Sequence, residues 1–353
     1  MVNKNKLNIK LLQKLLDAHG PSGQEGAVRH IIENEIKKHV DRVYTDKMGN
    51  LIAHECVTKK KGKRSKVMLA AHMDEVGLMV KSIDKKGRIN ITNIGGIDPI
   101  TILGQRIYIK TAKNEEIRGI VTHEDLSDSL EISELPKLSK MFIDTGLNKA
   151  ELEKKGVNVG SFVSLEEKST VIGNNDYIIG KSLDDRIGCF VLVEVAKMVK
   201  RVYDDVFYVF TVQEEVGLYG AKGAAFHISP DWAIAVDTTT TDETFKDSTR
   251  VCGGGPCIIY KDADMIANPE LNKEINKISK KLKIPIQRDV GSMGTTDALS
   301  ISMSREGVPS TSVNVAIRNI HSTISMGHLG DIADAIDILK ELLKKPFTFE
   351  GEW

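Results

Sequence analysis

The sequence predicts an α/β protein in which a mixed, mainly parallel sheet is sandwiched by helices and interrupted by a small β-rich insertion. Strand-like apolar runs alternate with helical stripes up to residue 74 and again from residue 166, as in a sheet that is covered on both faces. Between residues 75 and 165 the chain changes to short β-rich pieces separated by Gly, Lys and Asp. A length of 353 residues suits one large domain with an insertion. We therefore predict a discontinuous α/β domain, 1–74 with 166–353, around an inserted β domain, 75–165.

Periodicity places the individual elements. Apolar residues at helical spacing predict a helix over 24–39, where Val28, Ile32 and Ile36 share one stripe. Apolar runs predict strands in "LIAHECV" at 51–57, "KVMLAAHMD" at 66–74, "DVFYVFTVQ", "WAIAVD" and "PSTSVNVAI". Further helices are predicted near 186–201, 219–227, 269–283 and 331–345. The pieces of the insertion, such as "GLMVKSID" and "QRIYIK", have the spacing of a small barrel or sandwich.

Composition and charge argue against several classes of partner. Lys plus Arg and Asp plus Glu each number 49, so no global basic field attracts nucleic acid or an anionic membrane. No apolar run approaches the ~18 residues of a membrane span, and "MVNKNKLNIKLLQKLL" is too polar for a signal peptide. The basic run "KKKGKRSK" at 59–66 is predicted to be an exposed hairpin tip. We therefore predict a cytoplasmic protein without nucleic-acid or membrane partners.

The four cysteines are predicted to be reduced thiols. They contain no CxxC pair, so the sequence indicates neither a disulfide framework nor a thiolate zinc site. They are Cys56, Cys189, Cys252 and Cys257.

Polar side chains follow the predicted strands where each strand ends. In open α/β sheets, chemistry collects in the loops at the carboxyl ends of the strands. Each candidate residue lies directly after an apolar run or at the start of the next helix. The candidates are His72 and Asp74, Asp184 and Asp185, Glu214 and Glu215, Asp237, and His321. The joint pattern predicts one polar site at one edge of the sheet.

Two histidines and several carboxylates are costly to bury together, because unpaired carboxylates lose hydration and like charges repel. One or two divalent cations would relieve that cost. Imidazole and carboxylate without cysteine suit catalytic zinc, cobalt or manganese, and a shared carboxylate suits a pair of ions. Taken singly, His72 is also typical of a satisfied histidine, and the Asp184–Asp185 pair is also typical of a helix N-cap. The other histidines, His54 among them, lack comparable carboxylate company, and we predict no function for them.

Six motifs resemble one enzyme family. They are "AAHMDEVGLMV", "KSLDDRIG", "VQEEVGLYGA", "AVDTT", "GTTDA" and "IHS", in the order found in the TET-type dinuclear metalloaminopeptidases. The pieces "AHGPSGQE", "IGGIDP" and "MFIDTGLNKAELEKKGV" extend the resemblance over nearly the whole chain. These self-compartmentalising enzymes are related to glutamyl aminopeptidase and to proteins once labelled endoglucanase. The chain departs from the pattern at Thr323, where the family often has proline, and in the threonine-rich run after Asp237. Both departures bear on the shape of the substrate pocket.

The resemblance implies two divalent ions per subunit, Zn²⁺ or Co²⁺. Each ion would have two ligands of its own, His72 with Asp237 on one ion and Glu215 with His321 on the other. Asp184 would bridge the two ions. Asp74 would be the carboxylate that orients the imidazole of His72. Glu214 would be the general base, which takes a proton from a metal-bridging water and later delivers it to the leaving amine. The peptide bond after Asp184 would be cis.

The same resemblance implies the architecture and the assembly. The α/β domain would be a zinc-peptidase-like catalytic domain, and the insertion would be a small β-barrel, PDZ-like dimerisation domain. The expected enzyme trims short peptides with a free N-terminus and forms a homododecamer built from dimers. Apolar strands such as "GLMV" and "IYI" would then partly face a partner, the alternative being a private β core. The preferred N-terminal residue and the choice between zinc and cobalt stay open.

Two other functions compete with this one. A glycosidase would use a carboxyl pair about 5–9.5 Å apart across a sugar, but only 5% of the residues are aromatic, with two tryptophans, Trp232 and Trp353. A non-catalytic peptide-binding scaffold would be expected to have lost a ligand or the base, whereas every one of these residues is present. The aminopeptidase is therefore the favoured hypothesis.

Overall fold

The computed structural model describes residues 4–57, 64–111, 115–127, 135–243 and 249–349. The helices are α1 (Ile9–Leu16), α2 (Gly26–Ile36), α3 (Pro99–Ile102), α4 (Glu124–Ser127), α5 (Lys149–Lys155), α6 (Leu183–Met198), α7 (Tyr219–Ile228), α8 (Pro269–Leu282), α9 (Asp297–Ser302) and α10 (Leu329–Leu342). The strands are β1 (Arg42–Thr45), β2 (Leu51–Glu55), β3 (Lys66–His72), β4 (Gly77–Ile83), β5 (Ile89–Ile94), β6 (Arg106–Lys110), β7 (Glu116–His123), β8 (Met141–Asp144), β9 (Phe162–Leu165), β10 (Thr170–Ile172), β11 (Tyr177–Gly180), β12 (Asp205–Thr211), β13 (Trp232–Thr240), β14 (Cys257–Lys261), β15 (Gln287–Val290), β16 (Ser310–Arg318) and β17 (Ser325–His328). The run predicted as a hairpin tip, 59–66, lies mostly outside the described residues. Within the described parts, no helix combines the length and apolar character that a membrane crossing requires.

Eleven strands form one mixed sheet. Its centre is parallel, with β12, β3, β13 and β16 side by side in that order. The flanking strands are antiparallel: β2 and β1 lie beyond β12, and β17, β11 and β10 lie beyond β16. β14 pairs with β16 and carries β15 on its other side. This order confirms the predicted mixed sheet, and the structure places a run of parallel strands at its centre.

Helices cover both faces of the sheet, because the central strands are apolar on both sides. In β3, Val67 and Leu69 pack in the cluster that contains the apolar face of α6, whereas Met68 and Ala70 pack in the cluster that contains α7. Alternate side chains of a strand point to opposite faces, so the two clusters lie on opposite sides. α1, α2 and α10 pack around α6, and α9 packs beside α7. The predicted α/β sandwich is therefore confirmed.

A closed antiparallel barrel forms within the predicted insertion, in the order β4, β5, β8, β7, β6 and β9. Leu78 and Val80 of "GLMV" and Ile107 and Ile109 of "IYI" are at most 1% exposed and share one apolar cluster. These strands thus form an apolar core of their own, which was the predicted alternative to a contact with a partner subunit. The barrel strands run from residue 77 to residue 165, and the division of the chain into 1–74 with 166–353 and 75–165 stays a prediction.

The carboxyl ends of three central strands meet at one edge of the sheet. Thr211, the last residue of β12, is in register with His72, the last residue of β3. Ala235 of β13 is in register with Ala70, so Asp237 reaches the level of His72 two residues later. Side chains that follow these strands are therefore close together, as the rule for open α/β sheets predicts.

Candidate metal centre

Five side chains at this edge form two groups that share one carboxylate. The groups are His72 with Asp184 and Asp237, and Asp184 with Glu215 and His321. Within each group, one donor atom from every residue lies within 4.8 Å of the others. The structure thus brings together all the side chains that the resemblance implied as metal ligands. Because each donor is an imidazole nitrogen or a carboxylate oxygen, the groups are typical of a catalytic and not of a thiolate-based structural site.

Asp184 lies between the two groups at the start of α6. Its Oδ1 is 3.1 Å from Nε2 of His72, and its Oδ2 is 3.2 Å from Nε2 of His321. The backbone of Asp184 and Asp185 departs from helical angles, and the peptide bond between them is cis, as the resemblance implied. One oxygen of this carboxylate therefore faces each group, which is the arrangement that a bridging ligand requires.

Glu214 and Glu215 point to different parts of the centre. Gln213 has a φ of 56°, and this left-handed residue turns the chain shortly after β12. Oε2 of Glu214 lies 3.9 Å from Nε2 of His72, whereas Oε1 of Glu215 lies 3.4 Å from Nε2 of His321. The two carboxylates thus diverge, as neighbouring side chains of an extended segment do.

Asp74 is fully buried and contacts both sides of the centre. Its carbonyl oxygen is 3.1 Å, and its Oδ1 is 3.5 Å, from Nδ1 of His72. The carboxylate also accepts hydrogen bonds from the backbone N–H groups of Glu214 at 3.0 Å and Glu215 at 3.2 Å, and from the hydroxyl of Ser22 at 2.6 Å. Burial alone would raise the pKa of Asp74, but the contacts with His72 and Ser22 outweigh burial and lower it. Asp74 therefore positions both glutamates as well as the imidazole, a second role that the sequence did not reveal.

The second aspartate of the pair, Asp185, is fully buried and bonds to backbone groups beside the centre. Its carboxylate accepts the backbone N–H of His72 at 3.2 Å and that of Gly188 at 2.8 Å. It thus joins the end of β3 to the first turns of α6, and it keeps the imidazole of His72 and the carboxylate of Asp184 at a fixed distance.

An ion cluster, consisting of Glu75, Lys181 and Arg186, lies directly behind the centre. Lys181 Nζ donates to Oε2 of Glu75 at 2.6 Å, and the N–H of Gly20 donates to Oε1 at 3.0 Å. Arg186 lies 3.7 Å from Glu75 and donates to the carbonyl oxygen of Met73 at 2.7 Å. All three charged side chains are buried, and each has a charged partner inside the cluster.

Sequence reasoning missed this cluster. Glu75 follows Asp74 directly, and Lys181 and Arg186 lie on either side of Asp184, so the cluster connects the loop after β3 with the start of α6. The only signal was the presence of charges inside otherwise apolar motifs, "MDEVG" and "GKSLDDR". Their pairing over more than a hundred residues of sequence becomes visible only in the fold.

The electrostatics of the centre reflect an excess of carboxylates. Burial, reinforced by neighbouring carboxylates, raises the pKa of Glu214 and of Asp237 well above the usual values. Burial and the charge of Asp184 raise the pKa of Glu215 to about 8. Burial would lower the pKa of His321, but Asp184 and Glu215 outweigh it and raise the pKa to about 9. The excess of negative charge therefore favours the binding of cations, which would offset it.

One buried atom tests whether a cation fits the centre. Oε1 of Glu215 has no hydrogen-bond partner among the described residues, although the imidazole of His321 is only 3.4 Å away. An unpartnered buried acceptor is costly, and nearly all such atoms in proteins are satisfied. The orphaned oxygen and the all-nitrogen-and-oxygen donor set both fit bound divalent cations.

A cavity of about 650 Å³ opens onto both groups and onto Glu214. Its far wall contains the threonines 238–241 and the charged residues Arg250, Lys261 and Asp289. Nη1 of Arg250 is 3.3 Å from Oδ2 of Asp289, so the wall carries charges of both signs. The volume suits one end of a short peptide, while the wall does not single out an acidic or a basic N-terminal residue.

Comparisons with known proteins identify the family. The sequence model of the M42 glutamyl aminopeptidase family matches residues 49–338. A lysyl aminopeptidase of Pyrococcus furiosus is 32% identical over 96% of this chain and 98% of its own length. A crystallised aminopeptidase of the archaeon Desulfurococcus kamchatkensis is 34% identical with a TM-score of 0.90, covering 95% of this chain and 94% of that one. The TET1 peptidase of Pyrococcus horikoshii, which can assemble into a tetrahedron or a large octahedral shell, is 30% identical with a TM-score of 0.84, covering 95% of this chain and 98% of its own. The resemblance to TET-type enzymes is thus confirmed, and the chain belongs to the M42 glutamyl aminopeptidase family.

Proposed function

We propose that the chain is a dinuclear metalloaminopeptidase that removes N-terminal residues from short peptides. The observation that carries the proposal is the pair of donor groups that share Asp184 beneath a cavity of about 650 Å³. His72 and Asp237 would hold one ion, Glu215 and His321 would hold the other, and Asp184 would contact both. Zinc and cobalt suit these nitrogen and oxygen donors. Two such ions, when bound, supply a nucleophile at neutral pH and polarise the scissile carbonyl.

Glu214 is the residue that we assign as general base and acid. Its carboxylate lies beside the first group, 3.9 Å from the imidazole of His72, and its backbone is fixed by Asp74. From this position the carboxylate accepts a proton from the nucleophile and returns it to the leaving amine. Asp74 positions the imidazole and both glutamates, so that the base and the ligands keep one relative geometry.

The excess of carboxylates supports cleavage at the N-terminus and not within a chain. A free α-ammonium group is the cationic end of the substrate, and carboxylates around the two groups hold it by charge-assisted hydrogen bonds. An N-acetylated peptide lacks this charge, so it would leave the same carboxylates without a partner.

A self-compartmentalising assembly is the second part of the proposal. A TET1 peptidase with a TM-score of 0.84 to this chain can form a tetrahedron, and we propose a homododecamer built from dimers, with the barrel as the dimerisation domain. The barrel strands have their own core, so the contact would use exposed apolar residues such as Ile100 and Ile120, which are 53% and 48% exposed. Light scattering at several protein and salt concentrations tests this part, and a fully active, persistent monomer would reject it.

Matched peptides separate this function from its competitors. Metal-loaded protein is incubated with a short peptide, with its N-acetylated form, and with a β-glucan. We expect stepwise release of N-terminal residues from the free peptide alone. Equal cleavage of the acetylated peptide would contradict the exopeptidase assignment, sugar release would favour a glycosidase, and tight binding of the free peptide without cleavage would favour a scaffold.

A further inference from the structure

A second mixed cluster of donor side chains lies at the opposite end of the sheet. His54 is in β2, Cys56 follows it by two positions, and Asp205 is the first residue of β12. β2 and β12 are antiparallel, with His54 opposite Phe207, so Asp205 lies across from Cys56. Residues two apart on a strand share a face, as do residues directly opposite each other. The register alone therefore brings the imidazole, the thiol and the carboxylate together.

The distances within this cluster approach those of a tetrahedral zinc site. One donor atom from each residue lies within 4.8 Å of the others. Sγ of Cys56 is 3.6 Å, and Oδ1 of Asp205 is 4.0 Å, from Nε2 of His54. Bonds of about 2.3 Å to sulfur and 2.0–2.1 Å to nitrogen and oxygen place tetrahedral donors about 3.3–3.6 Å apart. The sulfur is already at that separation from the nitrogen, and the carboxylate is roughly half an ångström too far.

Small side-chain movements would complete the geometry. The sulfur is also 3.6 Å from Nδ1 of His54, so the thiol now faces the ring and not Nε2 alone. Phe207 stacks on the imidazole, with 4.0 Å between the ring centroids and an interplanar angle of 10°, and this contact holds the ring in place. Cys56 and Asp205 are only half-buried, so rotation of the cysteine brings its sulfur into line with Nε2.

Two carboxylates, Asp41 and Asp205, lie close to Cys56. Asp41 accepts the backbone N–H of Cys56 at 2.7 Å, which adds a second carboxylate beside the sulfur. Partial burial and the carboxylates of Asp41 and Asp205 raise the pKa of the Cys56 thiol, and the charges of Arg42 and Arg64 partly offset this effect. Cys56 also lines an open groove of about 840 Å³, which gives an ion and its remaining water ligand access from solvent. Three basic side chains, Lys38, Lys200 and Arg201, also line this groove.

We propose that His54, Cys56 and Asp205 form a peripheral site for one Zn²⁺ ion, or for another divalent cation that prefers nitrogen and sulfur ligands. Three protein ligands leave one position of a tetrahedral ion to water. The site is separate from the metal centre, since β12 runs from Asp205 to Thr211, about 20 Å of strand at ~3.3 Å per residue. A bound ion connects the end of β2 to the first residue of β12 and so stabilises this edge of the sheet. The site has a single cysteine and therefore no CxxC signature, and its donors come from two separate parts of the chain. For both reasons the sequence pattern did not indicate it.

Cobalt is the probe that distinguishes this site from the metal centre. The donors of the centre are nitrogen and oxygen only, so a thiolate-to-Co²⁺ charge-transfer band reports a cysteine-ligated ion and nothing else. The metal-loaded protein is titrated with Co²⁺ at several pH values. We expect the band to saturate with one ion per chain, and the apparent affinity to increase with pH because the thiol must lose its proton.

Variants assign the band to its residues. Cys56→Ser should abolish it, and Asp205→Asn should weaken Co²⁺ binding by at least about tenfold, since even indirect contacts to metal ligands contribute 10–100-fold. Cys252→Ser, which removes another half-buried thiol, should leave the band unchanged. Peptide hydrolysis should stay unchanged in all three variants. A band that is absent, that persists in Cys56→Ser, or that forms only without a defined stoichiometry would overturn the proposal.

Discussion

The metal centre and the ion cluster behind it bury charge in opposite ways. In the ion cluster, Glu75 accepts hydrogen bonds from Nζ of Lys181 at 2.6 Å and from the backbone N–H of Gly20 at 3.0 Å. Arg186 donates to backbone carbonyl oxygens. In the metal centre, Oε1 of Glu215 has no hydrogen-bond partner within the part of the chain that the structure describes, and burial raises the pKa of Glu214 well above its usual value. One region balances its carboxylate with Lys and Arg side chains, whereas the other has only two imidazoles among several carboxylates.

This difference indicates which buried charges serve the fold and which serve a ligand. Burial of an unpaired carboxylate costs several kcal/mol, and the neighbouring cluster demonstrates that this chain can place Lys or Arg beside a carboxylate at the same depth. The centre instead collects carboxylates around two imidazoles. Its unbalanced charge therefore matches cations from solution, and the comparison can be tested by substitutions on either side of it.

Loss of the shared carboxylate should have the largest effect. Asp184→Asn removes charge from both donor groups at once, and we expect both metals to bind much more weakly. Glu214 has no activated nucleophile to deprotonate without them, so turnover should fall by about 10⁴-fold or more. Metal analysis and peptide hydrolysis measure the two effects, with the exposed Asp264→Asn as control. Normal metal content in Asp184→Asn would contradict the shared role.

Loss of the base should separate chemistry from metal binding. Glu214→Gln keeps the shape of the side chain but cannot accept a proton, so we expect turnover to fall by about 10²–10⁴-fold while both metals stay bound. Glu215→Gln, the neighbouring substitution, should instead weaken one metal. Near-normal turnover in Glu214→Gln would show that another group takes the proton.

The ion cluster should respond through stability. Glu75→Gln leaves Lys181 and Arg186 buried without a counter-charge, and we expect the free energy of unfolding to fall by about 3–5 kcal/mol. Adding Lys181→Met to that variant should restore part of the loss, because one unpaired charge is then removed. Denaturant unfolding of the metal-loaded protein measures both. The control, Glu243→Gln, breaks a more exposed ion pair with Arg318 and should change stability by at most about 1 kcal/mol.

The five candidate ligands could be selected from the sequence because each one follows an apolar run or begins the next helix. Carboxyl ends of parallel strands meet at one edge, so strand prediction alone placed His72 and Asp237 near each other. The shared role of Asp184 came from the family resemblance and not from spacing. The second role of Asp74, toward the backbone of both glutamates, depends on the left-handed turn at Gln213 and could not be predicted.

Contacts between distant strands were beyond sequence reasoning. The contact of His54 with Asp205, whose Oδ1 lies 4.0 Å from Nε2 of the imidazole, was not predicted. That contact depends on the antiparallel pairing of β2 with β12, whereas local pattern gives strands but not their neighbours. The same limit applies to Glu75 and Lys181, whose pairing is a property of the assembled fold.

Loss of the charge on Asp74 should have a moderate effect on metal binding. Asp74→Asn keeps one acceptor for the backbone of the glutamates but turns an amide donor toward them or toward His72. We expect metal affinity to fall by about 10–100-fold, or about 1.4–2.7 kcal/mol. Competition with a chelator of known affinity measures it. Turnover at saturating metal should recover largely, and a loss that persists at saturation would mean that Asp74 acts in the chemistry itself.

The pH dependence of the metal-free protein tests the same comparison without any substitution. The folded pKa of Glu215, about 8, exceeds its unfolded value of 4.5, so the folded state holds an extra proton between these values and loses stability as pH rises through them. His321, with a pKa raised from 6.5 to about 9, acts in the same direction at higher pH. Each group contributes at most about 1.4 kcal/mol per pH unit.

Metal binding has the opposite trend, because the ligands must be deprotonated. Thermal unfolding from pH 5.5 to 8 should therefore show a falling midpoint with a chelator and a widening gap to the metal-loaded protein. A metal-free midpoint that stays level or rises over this range would mean that the carboxylates of the centre are balanced by the chain itself, as in the ion cluster.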